Sequence, residues 1–149
     1  MTTTREIAEY VGRTFKYGGD IKATIEQLAE VNIERPTPPA NATDDIEKLI
    51  FSREIDEYVK RKTFLRENMK TAYSLIWGQC TDYLRQKLEV TNDYGTFSLS
   101  QNPIDLLKAI KTINFKFEEH RYIYHSVYDV HHNFYKFRQA HKVPVLVNI

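Results

Sequence analysis

A chain of 149 residues, 42% apolar and 28% charged, is long enough for one domain that buries about two-thirds of its unfolded surface, which excludes a disordered tail or a membrane-embedded protein. Its net charge of +1 lacks the strong basic excess of nucleic-acid domains. The one cysteine, Cys80, excludes an internal disulfide and a cysteine-based zinc site.

No stretch reaches the roughly 20 apolar residues of a membrane span, and the start MTTTREIAEY has no signal-like apolar core, so the expected location is cytoplasmic. The near-zero net charge hides a gradient. Residues 1–50 hold 6 Lys/Arg against 9 Asp/Glu, residues 51–105 hold 8 against 8, and residues 106–149 hold 7 against 3. Opposite signs at the two ends favour head-to-tail self-association, or draw a polyanion to the C-terminal third. An ordinary solvated surface explains the same numbers.

In chain order, TREIAEYVGRTF predicts a first helix with Ile7, Tyr10, Val11 and Phe15 on one face, closed by the glycines of YGGD in a left-handed cap. Asp20 then caps a second helix, IKATIEQLAEV, with Ile21, Ile25, Leu28 and Val31 as its stripe. Prolines 36, 38 and 39 end it and force an extended linker over residues 34–43. From Asp44 to Val90 the apolar pattern is helical almost without a break, including Tyr58, Met69, Ala72, Tyr83 and Leu88. A straight helix of that length runs about 70 Å, against a radius of gyration of about 15 Å for a domain this size. The pattern therefore predicts a break between residues 60 and 68, with Gly78 as a further joint.

TNDYGTFSLSQNP reads as a loop, and Asn102 followed by Pro103 as a helix start, with Asp105 favouring the positive end of the helix dipole. That helix buries Ile104, Leu107, Ile110, Ile113 and Phe117; a last helix covers about 123–139, and an apolar extended tail spans 141–149. No hairpin of strands is visible. The fold class is all-α, a single domain over residues 1–149 built as a bundle of about five to six helices around one long, broken central helix. Its expected core includes Ile55, Val59, Leu65, Tyr73, Ile76, Trp77, Cys80, Leu84, Leu107, Ile110, Phe117 and Phe134.

HSVYDVHHNFYKF, residues 125–137, raises a metal site, because His125, Asp129 and His132 recur at i, i+4 and i+7. Lys136 extends the same row one turn further, and its charge opposes a cation there. The row reads as a solvated polar face, and His131 as a hydrogen-bonded, partly buried side chain. Cys80 falls on an apolar stripe, where it acts as a small hydrophobe. YGGD lacks both the preceding strand and the Lys-Ser/Thr of a phosphate loop. Carboxylates in REIDEY and RENMK alternate with cations as solvated pairs do. These readings leave no enzyme, cofactor, metal or small-molecule substrate. Aromatics mixed with cations in NFKFEEHRYIYH and NFYKFR suit a core and a protein interface first, and stacking on single-stranded bases second.

EYVGRTFKYGGD, REIDEYVKRKTFLRENMKTAYSLIWGQCTDYLRQKLE and LLKAIKTINFKFEEHRY together resemble the Gag polyprotein of copia-type LTR retrotransposons, especially algal and diatom forms. The resemblance runs from about Arg5 to Gln139 and is one of helical layout. It implies a capsid N-terminal-domain-like fold that self-associates into a virus-like particle shell around the element's RNA. It also implies core or seam positions for Leu75, Ile76 and Trp77. A basic C-terminal third facing RNA or a neighbouring subunit would use Lys108, Lys111, Lys116, Arg121, His125, His132, Lys136 and Arg138. Relatives continue into a second helical segment and often a zinc knuckle, so the chain is expected to be the N-terminal half of a capsid or a relic of one. The rival readings are a nucleic-acid-binding module using the basic third, and an adaptor docking a partner against VPVLVNI.

Overall fold

The computed structural model describes residues 4–41 and 43–115. The expected helix over 123–139, the His125, Asp129 and His132 row, the 141–149 tail, Phe117 and Phe134 lie outside the described residues. Contacts divide the chain into two compact units, 1–110 and 111–149. The chain is all-α: the described residues form six helices and no strand.

Helix α1 (Thr4–Thr14) buries Ile7, Ala8 and Val11, while Tyr10 is exposed and so leaves the expected stripe. Helix α2 (Gly18–Gln27) packs against α1 and buries Ile21, Thr24 and Ile25. The turn between them differs from the expected glycine cap. Tyr17 takes the left-handed conformation, φ 54°, α2 begins at Gly18, and Asp20 lies within its first turn. Gly18 is required for space, since a Cβ there would stand 2.5 Å from the Gly12 carbonyl oxygen and 2.7 Å from that of Val11. The second helix ends at Leu28, also left-handed. Buried Thr24 then ties the chain back: its hydroxyl donates to the Asp20 carbonyl at 2.9 Å and accepts from the Val31 N–H at 3.2 Å. Residues 30–39 carry no regular structure, and Ile33 is buried.

Helix α3 (Asp45–Gln79) is uninterrupted for 35 residues, about 52 Å. The expected break between 60 and 68 does not occur, because KRKTFLRENMK contains no proline or glycine and is rich in strong helix formers. Asp44 opens the helix, its carboxylate accepting from the Ile46 N–H at 2.9 Å. The helix stops at extended Cys80, two residues past Gly78. Arg85 satisfies its last carbonyls, Nε donating to Trp77 at 3.2 Å and Nη2 to Gly78 at 3.3 Å. Thr81 starts α4 (Asp82–Glu89) by accepting from the Leu84 N–H at 3.3 Å. Leu84 and Leu88 are buried, whereas Tyr83, placed by the periodicity in the stripe, is exposed.

The expected loop at 91–103 contains a helix, α5 (Tyr94–Ser100). Its Gly, Thr and Ser are weak helix formers; Phe97, 1% exposed, supplies the tertiary packing that overrides them. Helix α6 runs from 103 through 115. It starts as expected, with Asn102 accepting from the Ile104 N–H at 3.0 Å and Pro103 at the first helical position. Ile104, Leu106, Leu107 and Ile110 are buried on it.

Candidate interaction surface

Helix α3 is two things in one rod. From Leu65 onward it buries Leu65, Asn68, Ala72, Tyr73 and Ile76; from Asp45 to Phe64 no residue is buried. The first stretch forms an arm about 30 Å long. Ile46, Leu49 and Ile50, at i, i+3 and i+4, share one face of it and are 70%, 61% and 53% exposed. Val59, expected in the core, is exposed on the arm as well, and Ile55 is half-buried. Beside the arm lies an open groove of about 750 Å³, walled by Ile33, Pro36 and Thr37 on one side and by Leu49, Ile50, Arg53, Glu54 and Tyr58 on the other.

Five residue pairs fix α3 to α2 and to the turn between α1 and α2. Arg61 donates from Nε to Asp20 at 2.9 Å and from Nη2 to the other carboxylate oxygen. The hydrogen bond to Asp20 pushes the Arg61 pKa up. Tyr17 stacks on Phe64 with centroids 5.3 Å apart and donates its hydroxyl to Glu57 at 3.2 Å, which pushes the phenol up. The Lys16 ammonium sits 4.7 Å from the Phe64 centroid. Asn68 donates to the Lys16 carbonyl at 2.8 Å, which satisfies a buried amide. Left-handed Tyr17 thus brings both its ring and its hydroxyl to α3.

Charge is divided along the same helix. Residues 44–57 hold two Lys/Arg and six Asp/Glu, and residues 58–81 hold five and one. Lys62, Arg66 and Lys70 recur every four residues in a row on the face opposite Ile46, and none of the three makes an ion pair among the described residues. At the far end the Tyr73, Trp77, Tyr94 and Phe97 rings form a ladder with successive centroids 6.4, 5.9 and 5.6 Å apart, joining α3 to α5. Trp77 is half-buried there, with the Arg85 guanidinium 5.9 Å from its centroid.

Leu65, Tyr73, Ile76, Cys80, Leu84, Leu107 and Ile110 are buried, and Leu75 is half-buried. The Cys80 thiol donates to the Ile76 carbonyl at 3.3 Å, and burial pushes its pKa up, the opposite of an activated nucleophile. Lys108 and Lys111 are exposed on α6; Lys116, Arg121, His125, His132, Lys136 and Arg138 lie outside the described residues. Among the described residues no group of three or more His, Cys, Asp or Glu could hold a metal, and no helix is long and apolar enough to cross a membrane. No family model, curated protein or solved structure matches the chain.

The apolar trio Ile46, Leu49 and Ile50 and the row Lys62, Arg66 and Lys70 escape the sequence reading. A charge count along the continuous helical pattern finds the row and the acidic stretch that holds the trio, because the sign changes at residue 57. Counting in thirds of the chain hides it, since the cut at residue 50 splits the acidic stretch and pools its second half with the basic one.

Proposed function

We propose that this chain is a non-enzymatic structural protein, a Gag-like helical domain that self-associates into a particle shell around element RNA. The supporting observation is the arm: about 30 Å of helix with no buried residue, carrying three large aliphatic side chains on one face. A helix with such a face is stabilised mainly by what packs against it. A protein surface that groups exposed aliphatics this way marks an interface. Shell building needs this kind of extended exterior contact and no enclosed chemistry. The sequence resemblance to copia-type Gag supplies the shell and the RNA; the arm supplies a means of association.

Sedimentation equilibrium tests the reading. The mean mass is expected to climb with concentration into the hundreds of micromolar, and the double variant Ile46→Glu with Leu49→Glu is expected to remain monomeric with unchanged helix content. A wild-type chain that stays strictly monomeric over that range defeats the proposal.

A further inference from the structure

We infer that the arm of one copy docks on the Lys62, Arg66 and Lys70 row of the next, a head-to-tail contact between unlike surfaces of α3. The inference rests on the self-association reading and names its surfaces. The arm offers Ile46, Leu49 and Ile50 flanked by carboxylates. Asp44 caps the helix, Asp45 pairs with Lys48 and Glu57 accepts from Tyr17, which leaves Glu47, Glu54 and Asp56 without a cation. Arg53 and Lys60 are the cations on the apolar face with no ion pair among the described residues. The row offers three cations about 6 Å apart along the helix axis. Exposed Val59 leads into it and Glu67 stands beside it. Like charges at four-residue spacing oppose a helix, so the row is relieved by an anionic partner.

A second copy of this chain answers both surfaces at once. Its acidic arm is opposite in sign to the row, and docking covers the aliphatic trio. A polyanion such as single-stranded RNA would answer the row alone and leave the arm exposed. At 100° per residue the trio and the row lie about 150° apart around α3 and are offset by about 27 Å along it. One molecule therefore engages two neighbours at the same time. A contact between unlike surfaces does not end at a dimer; it closes into a ring or propagates.

Charge reversal with complementation tests this on nuclease-treated protein, followed by sedimentation, with folding checked by circular dichroism. The arm variant carries Glu47→Lys, Glu54→Lys and Asp56→Lys. The row variant carries Lys62→Glu, Arg66→Glu and Lys70→Glu. Each alone is expected to weaken association by at least about tenfold, because like charges then face each other. Mixed in equal amounts they are expected to associate again, since the positive arm meets the negative row. Should a triple variant misfold, the single changes Asp56→Lys and Arg66→Glu give the same two tests at smaller amplitude. Association of either variant as strong as wild type, or a mixture that stays monomeric, overturns the contact while leaving self-association standing. Wild-type association that vanishes on nuclease treatment, with labelled oligouridine bound by wild type and not by the row variant, assigns the row to nucleic acid and also overturns it. A monomeric wild type removes both readings.

Discussion

The two halves of α3 share one backbone and differ in what holds them. Residues 65–79 are clamped by five buried side chains and by an aromatic ladder to α5. Residues 45–64 have an Asp44 cap, an Asp45–Lys48 pair and the contacts of Tyr17 and Asp20 with Glu57, Arg61 and Phe64 near their inner end. Short-range pairs of this kind are worth a few tenths of a kcal/mol each, whereas a buried aliphatic is worth about 1.5–3 kcal/mol. Continuity of a helix is thus a local property, and its rigidity is a tertiary one.

The strongest way to break this comparison is to cut side chains in both halves. Ile76→Ala is expected to cost about 2–5 kcal/mol of stability through its cavity, and Leu49→Ala to stay within about 0.5 kcal/mol, both from urea unfolding of dilute protein. Equal losses would mean that the arm is packed like a core. Next in size is Gly18→Ala, in the turn that presents Tyr17 to α3. Its methyl group would overlap the Gly12 and Val11 carbonyls, for an expected loss of about 1–3 kcal/mol.

Arg61→Met sharpens the boundary between the halves. The pair with Asp20 is partly solvent-exposed, so the expected global loss is about 1 kcal/mol or less. Hydrogen exchange of arm amides should quicken, while that of residues 68–76 stays slow. The smallest effect comes from Cys80, just past the packed half. Burial raises its folded-state pKa above the ordinary 9.0. The stability that goes with the protonated thiol is intact below pH 9 and is lost as pH rises through the folded value, since the unfolded chain gives up its proton first. Cys80→Ala should remove that loss and flatten stability against pH above the ordinary thiol value of 9.0.

Much of the architecture was legible because it depends on local chemistry. The all-α class follows from three- and four-residue spacing, and the start of α6 from Asn102 and Pro103. Two features are illegible because periodicity says which residues lie on a face, and not whether anything lies opposite. Val59 and Tyr83 belong to the three- and four-residue apolar pattern yet meet solvent. The break at 60–68 was inferred from the assumption that the whole helix must fit inside a compact domain; the arm projects instead. Helix α5 was hidden because its Gly, Thr and Ser favour a turn, and only the burial of Phe97 decides against it. The candidate site was readable as a sign change along α3, provided the helix was taken as one segment.

The Tyr17–Asp20 grip lies near one end of the arm, which makes that helix a lever. Tilting it by about 10° at Arg61 swings its tip by roughly 4–5 Å over some 25 Å of reach. If subunits join tip to flank as proposed, they would inherit that angle, and small adjustments of this partly buried ion pair would then set whether such an assembly bends tightly or lies nearly flat.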